Sequence, residues 1–309
     1  PTSLETYATC PFAYFLSRVI GLDALPEVEP NLSASDRGTA IHHVLNTFYR
    51  QWQAGGKRVS LSTLADATEM ILRIAKAELD TYSFQSPLWD ATKIQMLGDP
   101  RTGPGCFERF LASEILEESS PLVPSRFEFS FGMGTEASDD PASSPEPVEL
   151  ASPDGTKNLR IRGRIDRIDI TPSGEFLIYD YKSGSTHPKA KDIEAGTALQ
   201  LPLYLRAFEQ ITGSHGIGGG YYTIRREVER NIVLADARAR DLLITRFRPS
   251  PDFAGTIRHS CDCAFAYIEG IRNGQFPLPP EEECPNRYCD FRRICRFDPY
   301  RISETGEET

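Results

Sequence analysis

The sequence has no apolar run long enough to cross a membrane, and its first residues do not form a signal-peptide pattern. We therefore expect a soluble chain with no membrane partner. The first residue is Pro1 rather than Met, so we expect a processed or excised piece of a longer protein. With 309 residues and 39% hydrophobic content, the chain can bury a sizeable core.

Positive charge is also scarce. There are 34 Lys and Arg against 44 Asp and Glu, which gives a formal net charge of −10. This balance argues against a protein that coats nucleic acid through a generally basic surface. A chain that is acidic overall can nevertheless carry a basic groove. Basic pairs occur at Arg225-Arg226, at Arg246 with Arg248, and at Arg292-Arg293.

The most informative stretch is GRIDRIDITPSGEFLIYDYKSG, from Gly163 to Gly184. Turn-forming residues between an alternating run and an apolar run predict a β-hairpin. Because side chains alternate along a strand, Asp180 and Lys182 should point to the same side at the end of the second strand. Pairing of the two strands would bring Asp166 within reach of Asp180.

Two carboxylates and an ammonium at one edge of a sheet suit metal-assisted hydrolysis of a phosphodiester. Carboxylates hold a hard divalent cation such as Mg²⁺. A lysine can orient the attacking water and offset the charge that develops on the phosphoryl oxygens. The same residues fit an exposed hairpin with an ordinary Asp–Lys pair, because the spacing D-x-K arises by chance in many strands. The hairpin alone does not separate these two interpretations.

Asp166, followed by Asp180-Tyr181-Lys182 after an apolar strand, resembles the PD-(D/E)XK nuclease core in its RecB-like form, G-x-x-D-R-I-D…D-Y-K-[ST]-G. The opening run SLETYATCPFAYF is similar to the start of the nuclease domain of AddB-type helicase–nuclease subunits. The resemblance implies that Asp166 and Asp180 bind Mg²⁺ or Mn²⁺, with the backbone carbonyl of Tyr181 as a further ligand. It also implies that Lys182 positions the attacking water.

Two helical motifs extend the resemblance. Gly38 and His42 match the family's G-x-x-x-H motif, which implies that His42 ligates or flanks the metal. Gln200 and Tyr204 match the Q-x-x-x-Y motif and, being four residues apart, share a helical face. The resemblance implies that Gln200 hydrogen-bonds a metal-bound water or the lysine, and that Tyr204 contacts phosphate or base.

Three charged residues on the predicted strands have ordinary interpretations as well. Glu128 lies where the RecB-like family often carries an acid that binds the metal, but a solvent-facing Glu on an amphipathic strand explains it equally well. Contacts of Arg164 and Arg167 with phosphate would fit the same family. We interpret both arginines as solvated strand positions.

Four cysteines form a second candidate metal site. Cys10 lies near the start of the chain, and Cys284, Cys289 and Cys295 crowd near its end. This arrangement is similar to the four thiolates that hold a 4Fe–4S cluster in AddB-type domains. The family spacing is C-x-x-C-x(5)-C, whereas here the first gap is four residues, so Cys284 matches only by residue type. A Zn²⁺ site built from the same thiolates is the alternative.

The resemblance predicts an α/β fold, with a central mixed β-sheet flanked by helices as in restriction endonucleases. We expect one domain over 1–309, with a mainly helical portion over 1–120. A catalytic α/β core over 121–250 should contain an acidic loop at 134–147. A helix and an iron–sulfur-bound, cysteine-rich tail should occupy 251–300.

The function implied by the resemblance is a metal-dependent DNA exonuclease of the bacterial cytoplasm. It would process single-stranded DNA ends in double-strand-break repair, with a helicase subunit or a helicase portion of a longer parent chain as partner. One alternative is a catalytically silent iron–sulfur module that serves structure or DNA binding. A silent descendant has no physical need for the polar groups at His42, Asp166, Asp180, Lys182 and Gln200. A free-standing RecB-like or CRISPR-associated nuclease is a narrower alternative.

Overall fold

The computed structural model describes residues 1–22, 31–134, 140–152, 155–278, 284 and 289–295. The predicted acidic loop at 134–147 is therefore described in part, and residues 279–283, 285–288 and 296–300 of the predicted tail lie outside the described residues. None of the described helices is both long enough and apolar enough to cross a membrane.

Helices dominate the first part of the chain and flank the sheet in the second. They are α1 (Thr2–Thr9), α2 (Pro11–Tyr14), α3 (Ala34–Ala54), α4 (Leu64–Leu79), α5 (Pro87–Leu97), α6 (Cys106–Leu116), α7 (Ala190–Glu194), α8 (Gln200–Thr212), α9 (Phe253–Arg272) and α10 (Arg292–Cys295). A π-turn at Phe15–Val19 continues α2, and short 3₁₀ turns lie at Leu61–Thr63 and Ala237–Asp241.

The strands form a mixed five-stranded sheet and a small two-stranded one. They are β1 (Val123–Phe131), β2 (Val148–Ala151), β3 (Asn158–Ile161), β4 (Gly163–Ile170), β5 (Glu175–Lys182), β6 (His215–Ile224) and β7 (Val228–Ala235). The main sheet has the order β1-β4-β5-β6-β7, and β2 pairs with β3. Only β5 and β6 run parallel in the main sheet, because the α7–α8 segment returns the chain to the same end before β6 begins.

The predicted hairpin is formed by β4 and β5. In the turn, the backbone N–H of Thr171 donates to the carbonyl of Glu175 at 2.8 Å. Gly174 has φ +93°, a conformation that residues with a Cβ atom rarely adopt. The TPSG turn therefore fixes the register of the hairpin. In this register Asp166 and Asp180 lie opposite each other on adjacent strands.

Apolar side chains form a core on each face of the sheet. The first core lies under α3, α4 and α6 and includes Phe48, Phe110 and Leu177. The second core lies under α8 and α9 and includes Ile178 and Phe208. With a mixed sheet between two helical layers, the predicted α/β fold is confirmed.

A buried cluster of charges joins the first core to the sheet. Arg167 of β4 is 1% exposed, and its guanidinium bonds both carboxylate oxygens of Asp169 at 2.6 and 2.8 Å. It also donates to Glu114 of α6 at 2.9 Å. Arg230 of β7 pairs with the same Glu114. The interpretation of Arg167 as a solvated strand position is therefore wrong, because the face opposite Asp166 is covered by helices.

Candidate metal centre

Three acids lie in one row across three neighbouring strands. By the register of β1 and β4, Glu128 lies opposite Asp166. By the register of β4 and β5, Asp180 lies opposite Asp166, one step beyond the last paired residues. All three acids are buried, with exposures of 9, 9 and 4%. Like charges directly opposite one another repel, so this row requires compensating positive charge.

Glu128 occupies an irregular point in β1. Its φ is +50°, in the left-handed region that residues other than glycine seldom adopt. Phe127 packs in the first core and Phe129 in the second, although residues two apart on a regular strand share a face. The irregular backbone therefore switches the face of the strand at Glu128. The interpretation of Glu128 as a solvent-facing residue does not fit its burial.

His42 reaches this row from α3. Ser33 caps the helix by accepting the backbone N–H of Asp36 at 3.0 Å, and the buried residues of its apolar face include Ile41 and Leu45. The Nδ1 atom of His42 lies 3.3 Å from Glu128 Oε1 and 3.5 Å from Asp166 Oδ1.

The charge of His42 follows from these neighbours. Burial lowers the pKa of the imidazole, but the charges of Asp166 and Glu128 outweigh burial and raise that pKa to about 9. The two neighbouring acids therefore favour the imidazolium form of His42.

The backbone of β5 holds Asp166 in place. The N–H of Tyr181 donates to Asp166 Oδ2 at 2.7 Å. Burial raises the pKa of Asp166, and the charges of Asp180 and Glu128 raise it further, while His42 opposes the shift. The side chain of Tyr181 packs in the first core, edge-on to the His42 ring. Its carbonyl as a metal ligand stays a prediction.

Asp180 is held by Lys182, as the strand alternation predicts, and by Gln200, which was predicted to bond a metal-bound water or the lysine instead. Lys182 Nζ lies 2.5 Å from Asp180 Oδ2, which shows that the two side chains point to the same side as predicted. Gln200 Nε2 donates to Asp180 Oδ1 at 2.5 Å. Burial lowers the pKa of Lys182, but the Asp180 charge outweighs burial and raises it, so the lysine is an ammonium ion.

A residue that the sequence did not single out positions Gln200. The carboxylate of Glu5 in α1 accepts the backbone N–H groups of Leu199 and Gln200 at 2.7 and 2.8 Å. These are the unpaired donors at the start of α8, where a carboxylate is favourable. A contact across 195 residues has no local sequence signal.

Tyr204 is buried beside the row of acids. It is 5% exposed, and its ring lies against Gly163, where an added Cβ would come within 2.5 Å of the ring. The ring also meets Phe131 edge-on. The contacts show Tyr204 packing on the start of β4. Its predicted contact with phosphate or base stays a prediction.

The donor set fits a hard divalent cation. Among the described residues, the group whose potential ligand atoms all lie within 4.8 Å of one another is His42, Glu128 and Asp166. Asp180 is outside this group, and its carboxylate contacts Lys182 and Gln200. Carboxylate oxygens with one imidazole suit Mg²⁺ or Mn²⁺. Arg164, which is 42% exposed at its side chain, contacts Glu128 at 3.4 Å.

The four cysteines predicted to bind a cluster do not form a group as compact as that of His42, Glu128 and Asp166. Cys10 caps α2 by accepting the N–H of Ala13 at 3.3 Å. Burial raises the pKa of the Cys10 thiol, and the nearby thiols of Cys289 and Cys284 raise it further. Cys295 ends α10. Across the part of the chain that is described, no three of these sulfur atoms lie within 4.8 Å of one another.

Comparison with known proteins bears on these two sites. The family model of the PD-(D/E)XK nuclease superfamily matches residues 1–296. The chain belongs to the PD-(D/E)XK nuclease superfamily. The predicted resemblance is therefore confirmed, and the mixed sheet flanked by helices is consistent with the fold of this superfamily.

Several similar proteins are each named as a subunit of an ATP-dependent helicase/deoxyribonuclease. The protein of Thermoanaerobacter pseudethanolicus is 30% identical over 207 residues, which cover 66% of this chain and 17% of that protein. The protein of Ruminiclostridium cellulolyticum is 29% identical over 229 residues, covering 72% of this chain and 19% of the relative. That of Pelotomaculum thermopropionicum is 27% identical over 354 aligned positions, covering 96% and 30%. The chain thus spans less than a third of the length of these relatives.

Proposed function

We propose that this chain hydrolyses DNA phosphodiesters with Mg²⁺ or Mn²⁺ held by Asp166, together with Glu128, His42 and Asp180. The observation that carries the proposal is the row of three buried acids, which meets one imidazole and one ammonium. Such a row is costly without a cation, so a purely structural role does not explain it. A bound divalent cation would supply Lewis acidity to a phosphoryl oxygen and a more acidic water.

The remaining side chains have distinct roles in the proposal. Lys182 and Gln200 fix the orientation of the Asp180 carboxylate from its two oxygens. The Lys182 ammonium, 31% exposed, is open to solvent and can orient the attacking water and stabilise charge on the phosphate. Tyr204 supports the strand that carries Asp166. His42 must lose its proton to act as a ligand, and otherwise neutralises the acids.

The names of the relatives support a cellular role. We infer that the chain is the nuclease part of a bacterial helicase–nuclease that processes single-stranded DNA ends during double-strand-break repair. The helicase is either a separate subunit or another portion of a longer chain. The helicase/deoxyribonuclease relatives support this inference because they align with most of this chain.

We further propose that Cys10, Cys284, Cys289 and Cys295 bind a 4Fe–4S cluster, with Zn²⁺ as the alternative. The approach of α1 to the segment after α9, where the Tyr7 hydroxyl donates to the carbonyl of Gln275 at 2.7 Å, supports the proposal, because it brings the Cys10 region towards the segment that precedes the other three cysteines. Four thiolates are an established ligand set for either metal.

Cleavage of a labelled single-stranded oligonucleotide tests the proposed activity. Asp180→Asn and Lys182→Met should each reduce Mg²⁺-dependent cleavage by about 100-fold or more, since the first weakens the proposed metal site and the second removes an ammonium that offsets charge on the phosphate. Arg246→Ala, an exposed arginine that lines none of the described cavities beside the site, is the matched control. A closed circular strand that resists digestion would identify an exonuclease. Equal cleavage by wild type and both variants would remove these residues from the mechanism.

A further inference from the structure

A cavity of about 330 Å³ lies beside the metal centre. Its walls come from the first turn of α3, the segment after β5, and the turn between β6 and β7. The polar residues of these walls are Arg37, Ser183, Ser185, Arg225 and Arg226. The other residues that line it are Ile41, Gln95, Met96, Cys106 and Ile224.

Two residues that line the cavity are sequence neighbours of residues at the metal centre. Ile41 precedes His42, and Ser183 follows Lys182. At Gly38 the helix α3 approaches this segment so closely that an added Cβ would lie 3.3 Å from Ser183 Oγ. These neighbours place the cavity close to Lys182 and His42.

The charge of the cavity is opposite to that of the chain. Three arginines line it and no acidic residue does, although the net charge of the chain is −10. Within the described ranges, no carboxylate forms an ion pair with Arg37, Arg225 or Arg226. The Nε atom of Arg37 is buried and has no hydrogen-bond partner among the described residues. A buried donor without an acceptor is costly, so this cavity calls for a ligand rich in acceptor oxygens.

We propose that this cavity holds a backbone phosphate of the DNA strand, adjacent to the phosphate that is cut. The inference rests on the proposed nuclease function and names the residues that hold its substrate. Guanidinium groups bind phosphate oxygens through paired N–H donors, and the two serine hydroxyls can donate to the same oxygens. Because phosphate is common to all sequences, the site would hold the strand without reading its bases.

Binding of a fluorescent single-stranded oligonucleotide tests the proposal. The measurement uses the Asp180→Asn variant, which binds without cutting, over a series of KCl concentrations. Adding Arg225→Ala and Arg226→Ala should raise Kd by about 10-fold or more and lower the slope of log Kd against log salt by roughly 0.7, the value for one lost phosphate contact on a single strand. Arg37→Lys tests whether binding needs the paired N–H donors of a guanidinium, because lysine keeps the positive charge but lacks that pair of donors.

The matched control is the double variant Arg246→Ala and Arg248→Ala. It removes the same charge from two exposed arginines that do not line the cavity. Thermal denaturation of each variant checks the fold. Equal weakening by the control pair, or unchanged binding by the cavity pair, would overturn the proposal.

Cleavage kinetics separate failure of this inference from failure of the proposed function. In the otherwise wild-type chain, the cavity pair should raise KM more than it lowers kcat. If the wild-type chain cuts DNA and the cavity variants match the control, the phosphate site fails alone. If the wild-type chain cuts no DNA but its binding depends on the cavity arginines, the nuclease function fails and the phosphate site stands.

Discussion

Glu128 adopts a backbone conformation that few residues other than glycine accept, and it does so opposite Asp166. Residues held in such conformations cluster at functional sites, because the surrounding structure must offset their strain. At this position the left-handed backbone turns the carboxylate towards His42 instead of continuing the alternation of the strand. The left-handed conformation of Glu128 thus brings its carboxylate into the site that Asp166 and His42 share.

The charge state of His42 gives the first prediction at this scale. NMR titration of the metal-free chain should show a His42 imidazole with a pKa of about 9. Glu128→Gln should lower that pKa, because it removes one of the two carboxylates that stabilise the imidazolium. His43, an exposed neighbour, is the internal control. A His42 pKa that does not respond to Glu128→Gln would show that the two side chains do not interact.

Residues whose position follows from local periodicity were predictable. Asp180 and Lys182 share a side because a strand alternates, and the structure shows their contact. The burial of Arg167 was not predictable in this way, because its partner Glu114 lies 53 residues earlier on α6. The conformation of Glu128 has no signal in a single sequence either, since glycine would be the expected residue there.

At the scale of elements, β4 contributes one residue to the metal centre and the next residue to the buried cluster of charges. Asp166 faces the metal centre, while the next residue, Arg167, enters the first core and ties β4 to α6 through Glu114. Arg230 of β7 pairs with the same Glu114 carboxylate, and so ties β7 to α6 as well. Breaking a buried ion pair by removing one partner is costly, because the other charge is left uncompensated. This cluster therefore clamps α6 to two strands of the sheet.

The clamp predicts a pH-dependent stability. Burial alone would raise the pKa of Glu114, but Arg167 and Arg230 lower it to about 2, below the ordinary value of 4.5. A carboxylate whose folded-state pKa is depressed stabilises the fold fully above pH 4.5, and that stabilisation is lost as pH falls towards 2.

Urea denaturation of Glu114→Gln across this range checks the prediction. The variant should lose about 3–5 kcal/mol of unfolding free energy at neutral pH. Its difference from wild type should shrink below pH 4.5, as wild type loses the same charge. Glu118→Gln, an exposed acid just after the same helix, is the control. A difference that stays constant with pH would contradict the assignment.

Most elements were predictable from composition and turns, whereas their contacts were not. The hairpin β4–β5 and the strand β6 follow from apolar runs bounded by turn residues. The start of α8 depends on Glu5, far away in α1, and therefore could not be read from the residues around Gln200. Long-range contacts of this kind complete the site.

At the scale of the whole molecule, α1 packs against the end of α9 and the residues that follow it. Tyr7 of α1 donates its hydroxyl to the carbonyl of Gln275 at 2.7 Å, and its ring lies edge-on to Phe276. The backbone of α9 is so close at Gly270 that an added Cβ would collide with the Tyr7 hydroxyl. These contacts hold the Cys10 region near the segment that leads to the other three cysteines.

A variant of Cys10 tests the proposed cluster. Anaerobically purified wild type should contain iron and sulfide and absorb visible light, and Cys10→Ser should lose the iron and unfold at a lower temperature. Cys261→Ser, a half-buried cysteine on α9, should retain both properties. Zinc in place of iron would select the alternative metal, whereas full retention of iron by Cys10→Ser would exclude Cys10 as a ligand.

Calorimetric titration with Mn²⁺ tests the central claim most directly, because the claim is that the acid row exists to hold a cation. Wild type should bind one Mn²⁺ at this site, and Asp166→Asn should lose that binding, since the Asp166 carboxylate lies with His42 and Glu128 in the one close group of potential ligands among the described residues. Arg246→Ala should bind as wild type does. Absence of Mn²⁺ binding by wild type, or equal binding by Asp166→Asn, would contradict the account and favour a catalytically silent module.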